Sequence, residues 1–175
     1  GQTEDFTALC REAEKYGISV VLDGVFNHVG ADSRPFNRYN TYEEPGAWQA
    51  HKAGVEAARE AGSADPVADA AAGAEGPAAD AAHAAERACS PFATWFNFKP
   101  DSTYDCWWGV DDLPAVVESG EGWRGFIAGK AGVVRHWLAA GARGWRLDVA
   151  DELSDEFIAQ IKSAAVAERD DALVL

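Results

Sequence analysis

The chain has 175 residues, of which 47% are hydrophobic, so it is long enough to form one domain with a sizeable core. Its formal net charge of −14 argues against a nucleic-acid or anionic-membrane partner, and no apolar run reaches the length of a transmembrane helix. Three cysteines without a CxxC pair favour a reducing, cytoplasmic location and argue against a structural zinc site.

The first predicted elements are a helix and a buried strand. Apolar residues recur at helical spacing over residues 4–16, and Gly17 follows as a stop. The β-branched run over residues 18–23 is typical of a buried parallel strand that ends at Asp23. A polar, aromatic segment then follows from residue 27 to residue 48.

Residues 50–88 differ in composition from the rest of the chain. Alanine fills almost half of these positions, interleaved with aspartate, glutamate, glycine and a few prolines. Such a stretch buries little surface and is at best transiently helical, so we predict a surface insertion. The alternative is a pair of stable helices packed on the domain.

The C-terminal third returns to alternating helices and strands. A helix is predicted over residues 127–140, a strand over 143–148, a helix from the N-cap Ser154 to about residue 168, and a strand over 172–175. This alternation predicts α/β units around a parallel sheet. Polar side chains follow the carboxyl ends of two strands, which is where active sites of (β/α)8 barrels lie.

The strand before residue 149 places an ionic pair on one face. Trp145, Leu147 and Val149 alternate on one side, so Arg146 and Asp148 share the other. An arginine so placed can keep a carboxylate ionised and aim it, as an anionic nucleophile attacking a sugar requires. The alternative is a structural ion pair without a catalytic role.

Residues 23–28 read D-G-V-F-N-H and follow the first strand. Alone, they are also compatible with a carboxylate that caps a turn beside a hydrogen-bonded histidine. A phosphatase with an aspartyl nucleophile would need a second aspartate where Val25 stands. A metal site built on Asp23, Asn27 and His28 would lack a third strong ligand nearby.

Taken together, the two motifs resemble the α-amylase superfamily, glycoside hydrolase family thirteen. Residues 23–28 are similar to its D-x-x-x-N-H region, residues 144–148 to its G-x-R-x-D region, and residues 113–116 (L-P-A-V) to a short motif between them. Three further segments resemble the cyclomaltodextrinase, neopullulanase and maltogenic amylase branch: residues 33–39, 104–110 and 148–152.

This resemblance implies an α/β fold that is part of a (β/α)8 TIM barrel, about strands three to five with their helices, plus a domain B excursion. Residues 1–28 and 116–175 would belong to the barrel, and residues 29–115 would form domain B, enlarged by the insertion at 50–88. A full barrel takes roughly 250 residues or more, so the chain is expected to be a fragment of one.

The resemblance also implies roles for residues of the first and second motifs. Asp148 would be the nucleophile of a retaining mechanism, and Arg146 would orient it and hold its pKa low. His28 would hydrogen-bond the sugar, and Asp23 would support the site by engaging Arg146. Asn27 binds Ca²⁺ in many α-amylases, although this branch often lacks that ion and no cofactor is expected to be required.

Substrate and partners follow from the same resemblance. Trp107 and Trp108 are candidates for lining a cleft that binds α-glucan oligosaccharides such as maltooligosaccharides, cyclodextrins or pullulan, and packing within domain B is the alternative for each. Members of this branch often form homodimers. The family's general acid follows strand five, beyond residue 175, so the isolated chain is expected to be inactive.

Two other functions are compatible with the same barrel. One is a non-catalytic, amylase-like domain that binds or chaperones another protein, and such domains lose the carboxylates that are present here. The other is an isomerase of the sucrose or trehalose type, which the Trp-Trp-Gly segment at 107–109 disfavours only mildly.

Overall fold

The computed structural model describes residues 1–175, and these form two compact units. The first unit consists of residues Gly1–Phe26 and Trp123–Leu175, and the second of Asn27–Gly122. Each unit is described below by itself. None of the helices is long and apolar enough to cross a membrane.

The first unit alternates helices and strands, as the sequence predicts. Its elements, in chain order, are α1 (Thr3–Glu14), β1 (Val21–Gly24), α5 (Glu121–Ala128, of which the first two residues belong to the second unit), α6 (Val133–Ala139), β2 (Gly144–Leu147), α7 (Asp155–Glu168) and β3 (Leu173–Val174). The three strands form one parallel sheet in the order β1-β2-β3, so the predicted α/β architecture is confirmed.

Local signals set the ends of two of these helices. Gly17 follows α1 with a φ of +70°, a left-handed conformation that glycine adopts without steric cost. Ser154 caps α7, because its hydroxyl accepts a hydrogen bond from the backbone N–H of Phe157 at 3.3 Å. The predicted N-cap at Ser154 is therefore confirmed.

Among the predicted elements of this unit that are shorter than expected, two have a clear local cause. The strand predicted over 18–23 begins only at Val21, because the N–H of Ile18 bonds back to Ala13 at the end of α1. The helix predicted over 127–140 is interrupted between α5 and α6. A Cβ at Gly132 would lie 2.7 Å from the carbonyl oxygen of Ile127, so the turn there depends on glycine.

The core of this unit lies on one side of the sheet. Trp145 and Leu147 of β2 are buried, and the Trp145 indole donates to the carbonyl of Val134 in α6 at 3.3 Å. The Trp145 ring also lies 5.4 Å from that of Phe26, and Phe157 of α7 is fully buried. This helix-packed face therefore carries the apolar residues of β2.

The second unit contains the alanine-rich segment, which the structure shows as packed helices. The elements are α2 (Ala47–Glu60), α3 (Pro66–Asp69) and α4 (Pro77–Cys89). Ala58, Ala70 and Ala82 are buried together and form a small core. The prediction that this segment buries little is wrong, because small side chains let the helices approach closely enough to bury their own faces.

A second core in the same unit is aromatic. Phe36 is 0% exposed, and its ring lies 4.9 Å from that of Phe96 and 4.6 Å from that of Tyr104. Burial raises the pKa of Tyr104 to about 12, while its hydroxyl donates to the carbonyl of Asp111 at 2.8 Å. These contacts connect Phe36 to residues sixty or more positions later in the sequence.

Candidate active site

The exposed face of β2 carries Arg146, opposite the buried side chains of Trp145 and Leu147. Asp148 follows directly after the strand, and its backbone N–H donates to the carbonyl of Gly24 at 3.0 Å. The parallel register places Asp23 of β1 beside Arg146. Strand alternation and register thus bring three charged residues to the same edge of the sheet.

A single guanidinium nitrogen joins the two carboxylates. Nη1 of Arg146 lies 2.8 Å from Oδ1 of Asp23 and 2.5 Å from Oδ1 of Asp148. Hydrogen bonds to Asp23 and then to Asp148 raise the pKa of Arg146 above its ordinary value. Arg146 therefore stays charged at any pH at which the protein is folded and holds both carboxylates in place.

The side chains of this cluster are partly exposed in the described residues. That of Arg146 is 51% exposed and that of Asp148 is 31% exposed. The catalytic role of this cluster and the alternative of a structural ion pair both stay predictions.

The chain turns sharply after Asp148. Val149 has a φ of +43° and precedes a short 3-10 turn over Ala150–Glu152. A β-branched residue in the left-handed region is rare, and such strain is concentrated at functional sites. The prediction that Val149 continues the buried face of the strand is wrong, because the strand ends at Leu147.

A second group of predicted site residues lies in the second unit. The His28 ring stacks on Trp107 at 4.9 Å, and Trp107 stacks on Trp108 at 5.2 Å. Trp108 is 79% exposed and has a φ of +51°. The carbonyl of Asn27 accepts from the N–H of Val116, so the predicted L-P-A-V segment pairs beside this histidine.

The structure thus brings the predicted residues together in two groups, one in each unit. The first contains Asp23, Arg146 and Asp148, and the second contains Asn27, His28, Trp107 and Trp108. The three-ring stack was not foreseen, since nothing in the local sequence indicates that His28 meets a tryptophan almost eighty residues later.

The family resemblance implies that no cofactor is required and leaves Ca²⁺ at Asn27 only as an alternative. The structure contains no group of three or more His, Cys, Asp or Glu side chains that could share a metal ion. The carboxylates of the first group are instead engaged by Arg146. The expectation that no cofactor is required stays a prediction, and Ca²⁺ has no part in the mechanism proposed below.

Sequence comparison finds relatives with a stated activity. The chain is 34% identical over 178 aligned residues to an amylopullulanase of Thermoanaerobacterium saccharolyticum, covering 94% of this chain and 11% of that protein. It is 32% identical over 180 residues to an amylopullulanase of Thermoanaerobacter thermohydrosulfuricus, covering 94% of this chain and 10% of that protein. The chain therefore spans about a tenth of the length of these curated relatives. No family model matches it.

Structural comparison finds the same fold in larger enzymes. A cyclic α-maltosyl-(1→6)-maltose hydrolase from Arthrobacter globiformis matches 99% of this chain and 30% of its own, with a TM-score of 0.63 and 23% identity. The type III pullulan hydrolase from Thermococcus kodakarensis matches 99% of this chain and 24% of its own, with a TM-score of 0.62 and 22% identity. The three parallel strands are consistent with part of a (β/α)8 barrel. The amylopullulanase relatives indicate the α-amylase family, glycoside hydrolase family thirteen, and the structural neighbours show the fold that this chain shares with larger enzymes.

Proposed function

We infer that this chain supplies the nucleophile of a retaining α-glucan hydrolase. The observation that carries the proposal is the guanidinium of Arg146 held between Asp23 and Asp148 at the edge of a parallel sheet. The named activities of the relatives, on pullulan and on cyclic maltosyl-maltose, support an α-glucan substrate such as a maltooligosaccharide, a cyclodextrin or pullulan.

The geometry supports different roles for the two carboxylate oxygens of Asp148. Arg146 bonds to Oδ1, which leaves Oδ2 to attack the anomeric carbon. The attack would displace the leaving sugar from the opposite face and form a covalent glycosyl ester. Water would later hydrolyse this ester by attacking from the face that the leaving sugar had occupied. Asp23, which accepts from the same Nη1, would restrain Arg146 and so keep the attacking oxygen aimed.

The remaining roles extend this proposal to the rest of the chain. His28 would donate a hydrogen bond to the sugar, and Trp107 and Trp108 would line the cleft. Residues 29–115 would form domain B, between barrel strands three and four. Retaining hydrolysis needs a second carboxyl about 5 Å from the nucleophile as general acid, and we place that group outside these 175 residues. The isolated chain would then not cleave glucans.

Free thiols support the proposed cytoplasmic location. Cys10, Cys89 and Cys106 are all unpaired in the structure. Burial raises the pKa of the Cys10 thiol, which keeps it in the less reactive protonated form. Unpaired cysteines of this kind are typical of a reducing compartment. Homodimer formation stays a prediction from the family branch.

The anomeric form of the first product tests the proposed chemistry. We expect the full-length protein, given a maltooligosaccharide, to release a sugar whose new reducing end is initially α, as recorded by proton NMR before mutarotation. An initially β product would exclude a retaining nucleophile. No product at all would favour the non-catalytic amylase-like domain, and rearrangement without a new reducing end would favour an isomerase.

Removing the exposed indole of Trp108 tests the proposed cleft. We expect Trp108→Ala in the full-length protein to raise KM for maltooligosaccharides roughly two- to tenfold, because aromatic contacts of this kind contribute about 0.5–1.5 kcal/mol. The value of kcat should change little, since the ring does not touch the reacting atoms. Tyr16→Ala removes an equally exposed ring from the end of α1 and should leave KM unchanged. Equal changes of KM in Trp108→Ala and Tyr16→Ala would contradict the proposed role of Trp108 in lining the cleft.

A further inference from the structure

Three residues of the second unit are aligned around the imidazole of His51. This histidine lies on α2 and is 2% exposed, and its ring stacks on Phe98 at 4.1 Å with an angle of 3° between the planes. Its Nε2 lies 3.4 Å from the hydroxyl oxygen of Ser102. Its Nδ1 lies 3.5 Å from Oε1 of Glu86 on α4. None of these residues belongs to the glycosidase site proposed above.

The nitrogens of His51 face the partners that a nucleophilic serine requires. A neutral imidazole with its proton on Nδ1 can direct that proton to a carboxylate and accept the serine proton at Nε2. Nδ1 is buried and makes no hydrogen bond in the structure, and Oε1 of Glu86 lies 3.5 Å from it in an ion-pair contact. The distances are loose, as they often are before a substrate is bound.

The packing of α2 against α4 positions the carboxylate. A Cβ at Gly54 would lie 2.7 Å from Cγ of Glu86, so the stem of Glu86 lies against α2 one turn after His51. The side chain of Glu86 is 14% exposed. Phe98 lies against the flat face of the imidazole and restrains it. The packed helices α2 and α4 thus hold Glu86 beside His51.

The backbone conformation of Ser102 is the second unusual feature. Ser102 has a φ of +60° and is half-buried, within a turn closed by a bond from Lys99 N–H to the carbonyl of Thr103 at 2.8 Å. Left-handed conformations cost non-glycine residues on the order of 1–2 kcal/mol and recur at functional sites. Here the turn presents the Ser102 hydroxyl to His51.

We propose that Ser102 is a nucleophile, activated by His51 and oriented through Glu86, which forms covalent esters with activated acyl or phosphonyl compounds. The hydroxyl oxygen attacks the electrophilic carbon or phosphorus, and its proton passes to Nε2 of His51. With a fluorophosphonate, the new bond is O–P, the P–F bond breaks, and fluoride leaves with the electron pair. No oxidant or metal is needed.

The surrounding amides favour a stable ester over rapid turnover. The N–H of Ser102 donates to the carbonyl of Lys99, and the N–H of Thr103 donates to Asp101 at 2.9 Å. Both amide N–H groups therefore already donate hydrogen bonds, and they do not form a preorganised oxyanion hole. Ser102 accordingly acts as a site of covalent modification by acyl donors, and its ester is hydrolysed slowly.

A fluorophosphonate probe tests this proposal on the purified full-length protein. We expect one stoichiometric adduct by intact mass, mapped to Ser102 by peptide sequencing, and no adduct in Ser102→Ala. His51→Gln should lower the labelling rate about 100-fold or more, the contribution expected of a general base. Glu86→Gln should lower it roughly tenfold or more, because Glu86 holds the imidazole tautomer.

His83→Gln is the matched control. His83 lies on α4 like Glu86, but its Nε2 contacts the carbonyl of Ala71 at 3.2 Å, so labelling should be unchanged. No adduct, an adduct on another serine, or equal rates in the wild type and Glu86→Gln would overturn the proposal. If circular dichroism shows that His51→Gln does not fold, the mapped adduct and Glu86→Gln decide the result.

Discussion

Replacing Asp148 with asparagine in the full-length protein is expected to lower kcat for maltooligosaccharides by roughly 10⁴- to 10⁶-fold, the range seen when a nucleophile or its direct partner is removed from a catalytic group. An amide has nearly the shape of a carboxylate but cannot attack as an anion. The hydrogen bond from Arg146 to Oδ1 can persist in the variant, so the position of the side chain is retained. Steady-state kinetics and a sugar-binding titration measure the two effects separately.

The control for this substitution lies in the same turn. Asp151 is an exposed carboxylate in the 3-10 segment Ala150–Glu152, three residues after Asp148. Asp151→Asn changes the net charge by the same amount and should alter kcat less than twofold, since surface charges of this kind act weakly. An Asp148→Asn enzyme that retains normal turnover, or one that loses sugar binding together with turnover, would exclude Asp148 as the nucleophile.

Replacing Phe36 with alanine is expected to lower the free energy of unfolding of the second unit by about 3–5 kcal/mol. Phe36 is completely buried, and its ring contacts those of Trp48, Phe96, Phe98 and Tyr104. Truncation leaves a cavity. The four surrounding rings cannot fill it unless their side chains move out of their favoured rotamers. Denaturant unfolding, followed by tryptophan fluorescence and circular dichroism, measures the loss.

Tyr42→Ala provides the comparison within the same unit. Tyr42 is 41% exposed, and its bonds to the Asn37 side chain use only its backbone N–H and carbonyl. Its truncation should change the free energy of unfolding by less than about 0.5 kcal/mol. If Phe36→Ala lowered the free energy of unfolding as little as Tyr42→Ala, the aromatic core around Phe36 would not be the main source of stability in this unit.

Strand and cap signals near the candidate active site could be predicted because they are local. Alternation of Trp145, Arg146 and Leu147 fixes which side chain faces the core once the segment is extended. Ser154 needs only the amide three residues later to cap α7. Both predictions depend on covalent spacing and not on distant parts of the chain.

The alanine-rich segment shows where such reasoning fails. Its composition indicates a weak, solvated helix former, since alanine offers little apolar surface per residue. The structure buries Ala58, Ala70 and Ala82 together because α2, α3 and α4 fold back on one another. Whether small side chains are exposed or pack closely depends on a neighbouring helix, which no local pattern specifies.

The sequence by itself determined the alternation of helices and strands and the motifs that resemble the α-amylase family. It also determined that Arg146 lies on the face of the strand opposite Trp145 and Leu147, because side-chain direction repeats every two residues. Only the tertiary structure decided the register that sets Asp23 against Arg146, the stacking of His28 on Trp107, and the alignment of Ser102 and Glu86 around His51. Those contacts join residues tens of positions apart, and their geometry follows from how helices and strands pack together.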